Sequence, residues 1–137
     1  YPVHNIDAYN AIKAFLPPET PRGLVVLDPA FEVKDEFSKI ISALQTIRKR
    51  FSAGIVMTWY PIKDQTIVKK FYNDLKNTGY SEFLKVEFEV DHPDLGMNKS
   101  GVVIANPPYI YDRLKLMMHF LCNVIYNDKA KYIIELI

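Results

Sequence analysis

Gly23-Leu24-Val25-Val26-Leu27-Asp28-Pro29-Ala30-Phe31 joins an uninterrupted apolar run to an acid, a proline and an aromatic ring. The run Leu24 to Leu27 reads as a fully buried strand, the kind found in a parallel sheet with both faces covered. Asp28 then falls at the carboxyl end of that strand, where open α/β sheets place their ligand sites. Pro29 fixes its own backbone and ends the strand, so the carboxylate and the carbonyls after it project from the sheet edge. Phe31 adds a flat apolar face. Together these groups suit the holding of an extruded base that carries an amino group, and the acceptance of its proton.

Outward from this stretch the chain alternates between two periodicities. On the amino side, Tyr1 to Ile6 could close a short strand with Asp7 at its end. Ala8, Ala11, Ile12 and Phe15 fall at helical spacing over 8–16, and Pro17-Pro18 stop that helix. On the carboxyl side, Phe37, Ile40, Ile41, Leu44, Ile47 and Phe51 share one face of a helix over about 35–50. Gly54 to Trp59 is another apolar run of strand length. Asp64 can cap a helix over 65–77 that turns Ile67, Val68, Phe71 and Leu75 inward and stops at Gly79. Leu84, Val86, Phe88 and Val90 then alternate with Lys85, Glu87 and Glu89, which predicts a half-exposed strand. Residues 91–100, with Pro93, Gly96 and Asn98, read as a loop. Gly101 to Ala105 gives one more strand, a helix over 112–126 follows with Met117 and Met118 as core packing, and a short strand near 132–137 closes the chain.

Strand and helix alternate three times before two strands come in succession. The crossover helices imply parallel neighbours with helices on both faces, and the last two strands can pair antiparallel at one end. The expected fold class is α/β, a single domain with a mostly parallel sheet and a reversed last strand. This order resembles the second half of the class I S-adenosylmethionine-dependent methyltransferase (Rossmann-like) fold. The first half of such a fold would carry a glycine-rich turn against the methionine part of S-adenosylmethionine. The chain has five glycines and no G-x-G. It opens on Tyr1 instead of a methionine, so it reads as a piece of something longer, an incomplete catalytic domain expected to be inactive alone.

Composition bounds the function without choosing it. The 137 residues fit one domain with a real core, and 49% hydrophobic content is ordinary for a globular protein. No apolar run approaches a transmembrane span, and nothing resembles a signal peptide. A formal net charge of +1 gives no global electrostatic argument for nucleic acid. The single cysteine, Cys122, excludes an internal disulfide, reads as a small buried hydrophobe, and fits a reducing, cytoplasmic setting. His4, His92 and His119 have no metal-ligand spacing, so no metal site is expected.

Two tetrapeptides compete for the catalytic role. Asp28-Pro29-Ala30-Phe31 resembles the Asp/Asn-Pro-Pro-aromatic signature of amino-group methyltransferases, with Ala30 in place of the second proline. Asn106-Pro107-Pro108-Tyr109 matches that pattern letter for letter. Position favours Asp28. After its catalytic strand the fold still needs two helices, a strand and a closing strand pair, and too little chain follows Tyr109 to supply them. A proline pair after a late strand more often simply ends it.

The segments AFLPPETPRGLVVLDPAFEVKDEF, WYPIKD and GMNKSGVVIANPPY together resemble the RlmJ family. These bacterial enzymes use S-adenosylmethionine to methylate the N6 amino group of an adenine in 23S ribosomal RNA. The resemblance runs from about Asp7 to Tyr126 and covers only the later part of the family's sequence. It implies Asp28 as the catalytic acid. It implies Asp7 as the acid of an Asp-Gly pair on the adenosine side of the cofactor, with Ala8 where the family has glycine. Ala30 and Phe31 stand where the family has proline and, frequently, tyrosine. The substrate-base pocket would draw on Pro29, Phe31, Trp59 and Tyr60, the last two ending a strand on the same sheet edge as Asp28. The implied partner is ribosomal RNA, with no membrane and no metal, and a monomer is expected. Arg48, Lys49, Arg50, Lys63, Lys69 and Lys70 could form a basic rim for that RNA, although such residues more often make a solvated helix face. Two other readings remain open. One is the same fold acting on DNA adenine or another amino group; the other is a non-catalytic α/β module that binds a partner protein.

Overall fold

The computed structural model describes residues 3–91 and 96–137. A five-stranded sheet in the order β1-β2-β4-β3-β5 forms the centre of the molecule. Its strands are β1 (Leu24–Leu27), β2 (Ile55–Pro61), β3 (Phe83–Val90), β4 (Lys99–Ala105) and β5 (Ala130–Leu136). The helices are α1 (Ala8–Phe15), α2 (Glu36–Arg50), α3 (Gln65–Leu75) and α4 (Tyr111–Phe120), with a π-helical turn over Leu121–Ile125. No helix among the described residues is long and apolar enough to cross a membrane.

The pairing corrects the expected parallel sheet. Only β1 and β2 are parallel neighbours; β2·β4, β3·β4 and β3·β5 are antiparallel. β1, β2 and β3 still point the same way, because β4 runs against both of its neighbours. The reversed strand lies between β2 and β3 instead of at the margin, and β5 adds a second reversed strand outside β3. Only eight residues join β3 to β4, a connection too short for the crossover that parallel pairing needs.

The two crossover helices also share one face, where both faces were expected to be covered. From β1 through α2 to β2, and from β2 through α3 to β3, the chain crosses the sheet in one direction. The right-handed rule then puts both helices on the same side. Ile40, Leu44 and Ile47 of α2 and Val68, Phe71 and Leu75 of α3 pack there with Val56, Tyr60, Val103 and Ala105 from the strands. The other face receives α4 and the π-helical turn only at the β5 end, where Met118 and Cys122 are buried and Tyr126 meets Phe88 edge-on. Met117 is exposed, contrary to its expected place in the core.

This one-sided covering explains why β1 is not the fully buried strand its composition predicts. It is a sheet edge, and Leu24 and Val26 on the uncovered face remain 58% and 54% exposed. β3 shows the reverse error. Lys85 and Glu87, expected to face solvent, are buried on the α3 side and satisfied by charge pairing. The described residues 3–6 form no strand, and Asp7 is instead the N-cap of α1, its carboxylate accepting the Asn10 amide at 2.9 Å. Asp64 caps α3 as predicted, and Gly79 follows that helix with φ +88°. Ile67 points outward. His92 and Pro93 lie outside the described residues.

Candidate active site

β1 delivers Asp28 to the carboxyl end of the parallel strand pair, and the loop after it climbs to α2. Asp28, Pro29 and Ala30 line a cavity of about 320 Å³ together with Asp7, Ala8, Tyr9, Val26 and Glu36. The two acids singled out from the sequence thus open onto one cavity. Asp7 reaches it from the first turn of α1 and not from a strand end. A larger open groove of about 560 Å³ between α1 and α2 shares Asp7 and Tyr9 but touches none of residues 28–31.

The four residues assigned to a base pocket do not stay together. Pro29 borders the Asp28 cavity, whereas Phe31 turns away from it. Phe31 adopts φ 54°, a left-handed conformation that bulky residues rarely take. Strain of this kind costs about 1–3 kcal/mol and persists only where surrounding structure enforces it. Here the ring is held edge-on against Phe37 at 5.0 Å and Trp59 at 6.0 Å. Tyr60 is a correction: it points to the opposite face of the sheet from Trp59, fully buried, with its hydroxyl 2.7 Å from that of Tyr72. It is a core residue. Strand alternation separates neighbours 59 and 60 in this way.

Glu36 and Tyr9 are site residues that the sequence did not disclose. Glu36 begins α2 and is only 7% exposed, and its carboxylate accepts the Tyr9 hydroxyl. Burial, that hydrogen bond and the charge of Glu36 together push the Tyr9 phenol well above its ordinary pKa. The contact ties the α1 turn that carries Asp7 to the α2 turn that follows the Asp28 loop. A glutamate at the start of an amphipathic helix is ordinary in sequence, and only the fold reveals its burial. Tyr9→Phe removes a hydroxyl donor from a buried carboxylate, so unfolding in urea should show a loss of about 1.5–3 kcal/mol. A stability unchanged within experimental error would mean that Glu36 does not depend on this bond.

The rival tetrapeptide lies at the other end of the sheet. Ala105, the last residue of β4, pairs with Val56 near the start of β2, so Asn106 sits on the edge opposite Asp28. Its amide donates to the carbonyls of Ser52 and Gly54 at 2.8 and 3.0 Å, tying the end of β4 to the entry of β2, and Tyr109 is fully exposed. Three of the six residues of the expected basic rim are engaged within the fold, while Lys49, Lys63 and Lys69 remain exposed. Arg48 donates to the carbonyls of Gly79 and Ser52, Arg50 to those of Leu16 and Lys13, and Lys70 pairs with Asp74. Among the described residues no group of three or more histidine, cysteine or acidic side chains is arranged to hold a metal ion.

The family model described as "Ribosomal RNA large subunit methyltransferase D, RlmJ" matches residues 2–137. By that description it is a family of ribosomal RNA methyltransferases. The chain belongs to this RlmJ family. Ribosomal RNA large subunit methyltransferase J of Haemophilus influenzae is 34% identical over 122 residues, covering 87% of this chain and 43% of the relative. The Escherichia coli protein of the same name is 36% identical over 109 residues, covering 78% of this chain and 39% of the relative. The chain therefore spans about two fifths of the length of these curated relatives. The crystal structure of protein LPL1258 from Legionella pneumophila superposes with a TM-score of 0.83 at 28% identity, covering 95% of this chain and 49% of that one.

Proposed function

We propose that this chain is the later half of a class I methyltransferase that moves a methyl group from S-adenosylmethionine to the N6 amino group of an adenine in 23S ribosomal RNA. The observation that carries the reading is the meeting of Asp7 and Asp28 in one cavity at the carboxyl end of β1, in a chain of the RlmJ family. The shared direction of β1, β2 and β3, with β4 reversed between the last two, supports the class I assignment. In this reading, the free edge of β1 and the uncovered Leu24 and Val26 are where the first half of the fold continues. That half would supply the glycine-rich cofactor turn.

An adenine amino nitrogen is a poor nucleophile because its lone pair is delocalised into the ring. The Asp28 carboxylate and the Pro29 carbonyl, each accepting one of its N–H bonds, localise that lone pair and leave an acceptor for the proton released. S-adenosylmethionine, when bound, supplies the electrophilic methyl group, and no metal is required. Asp7 and Ala8 suit its adenosine side, since an exposed carboxylate can accept from hydroxyl or amino groups and a small neighbour leaves room beside it. Holding the nitrogen in line is the larger part of the task, because orientation can account for about 7–11 kcal/mol of barrier in favourable cases. Phe31, locked against Phe37 and Trp59, acts in this scheme as a rigid shoulder that sets the loop carrying Asp28.

Asp7→Ala tests the division of labour in the full-length protein. The cofactor dissociation constant should rise at least tenfold, with turnover restored when cofactor is raised. Calorimetry showing unchanged cofactor affinity would remove Asp7 from the binding site. The variant also loses the α1 cap, about 1 kcal/mol of stability, so a thermal scan should accompany it.

A further inference from the structure

Beside the Asp28 cavity lies a groove of about 150 Å³ in which Lys34 and Lys63 face an apolar wall that includes Phe31, Val33, Phe37 and Ile67. The two depressions meet at Glu36, which lines both, and the Ala30–Phe31 step separates them. Both lysines sit in loops that follow the carboxyl ends of β1 and β2, and both are exposed. The two acids of the groove are already engaged. Asp64 accepts the amides of Thr66 and Ile67 at 2.7 and 3.4 Å, and Glu36 accepts the Tyr9 hydroxyl. Neither lysine forms an ion pair among the described residues. Val33 and Ile67 are exposed apolar side chains on the same rim.

Two uncommitted cations over an apolar wall match the two parts of a nucleotide, its phosphate and the face of its base. Of the basic side chains of this half of the molecule, Lys34 and Lys63 are the two that line this groove, and four others are engaged elsewhere. Arg48 and Arg50 are spent on backbone carbonyls, and Lys39 and Lys70 on carboxylates. We propose that this groove receives the nucleotide next to the target adenine, with Lys34 and Lys63 on the strand's phosphates and the Val33–Ile67 wall against the neighbouring base. The inference rests on the methyl-transfer reading of the Asp28 cavity. A base drawn into that cavity brings the adjoining nucleotide of its strand to the neighbouring groove. Sequence context around the modified adenine would then be sensed here, by a subsite distinct from the one that performs the chemistry.

The test uses Lys34→Gln and Lys63→Gln, singly and together, in the full-length protein. Binding of a ribosomal RNA fragment that spans the target adenine is measured by fluorescence anisotropy across a salt series. The double variant should bind about tenfold more weakly at low salt. Its plot of log affinity against log salt should lose about 1.4 of slope, about 0.7 for each phosphate contact of a single strand. Cofactor affinity should stay within twofold, and the RNA KM should rise with kcat at saturating RNA little changed. RNA affinity within twofold of the unmodified protein overturns the proposal, as does weaker binding with an unchanged slope. An equal loss in Lys69→Gln, an exposed lysine of α3 that does not line the groove, also overturns it, because the effect would then be one of general charge. RNA binding is read without turnover, so failure here leaves the active-site reading to be decided separately by Asp28.

Discussion

Asp28→Ala in the full-length protein should lower the rate of methyl transfer by about 10²–10⁴-fold, the range in which a positioned proton acceptor contributes. Cofactor affinity should stay within a few-fold. The side chain is exposed at the cavity wall, and among the described residues it makes no hydrogen bond that would be lost with it. The fold should therefore survive, and the loss should fall on kcat. Asn106→Ala is the matching control. It removes a tether between β4 and the entry to β2 on the opposite edge of the sheet, so it should cost stability and leave turnover largely intact. Near-normal turnover in Asp28→Ala would withdraw the catalytic assignment. An equal loss in Asn106→Ala would revive the rival motif.

The largest effect on stability is expected at Glu87. Tyr72 donates to its carboxylate at 2.7 Å, Lys99 lies at 3.1 Å, and Lys85 at 3.8 Å bridges onward to Glu135 at 2.7 Å. Gly101 makes room for the partner of this network. A Cβ at that position would stand 2.3 Å from the Tyr60 ring and hydroxyl. Removing Glu87 takes the acceptor from the Tyr72 hydroxyl and one of two carboxylate partners from each lysine, which keep only the more exposed Glu135 and Glu89. Glu87→Ala should therefore cost about 3 kcal/mol in urea unfolding. A loss below about 1 kcal/mol would show that the network is not structural.

The same carboxylate sets a pH dependence. Burial pushes the Glu87 pKa up, but the hydrogen bonds from Tyr72 and Lys99 and the charges of Lys99 and Lys85 outweigh it. The group titrates below the ordinary carboxylate range. A depressed folded pKa means that the unfolded chain takes up the proton first. The stabilisation is therefore complete above the ordinary glutamate value and is lost as pH falls towards the folded one. Stability of the unmodified protein should drop through that acid window, and Glu87→Gln should flatten the drop.

Local signals carried most of the element order. The Leu24–Leu27 strand, the amphipathic α2 and the Asp64 cap were legible because each is encoded within one turn or one apolar run. What the sequence hid depends on which elements become neighbours. Alternation in β3 announced a solvent face, yet α3 and β5 enclose Lys85 and Glu87, and charges with partners can be buried. The apolar run of β1 announced burial on both faces, yet Leu24 and Val26 stay more than half exposed. At the candidate site, Asp28 stood out as an acid after an apolar run, whereas Asp7 was read as a strand end and is a helix cap that shares the Asp28 cavity. Tyr60 was misplaced because strand alternation sends it into the core while Trp59 stays beside Phe31. Glu36 and Lys34 carried no local mark, since a helix-start glutamate and a loop lysine are common and only the closing of the loop over β1 makes them neighbours of Asp28 or Phe31.

Methyl transfer from isotopically labelled S-adenosylmethionine to 23S ribosomal RNA, followed by digestion and chromatography of the nucleosides, tests the central claim most directly. With the full-length protein the label should appear in N6-methyladenosine, and with Asp28→Ala it should vanish from that nucleoside. Label in a ring-carbon-methylated or ribose-methylated nucleoside, or N6-methyladenosine formed equally by both proteins, would contradict the account.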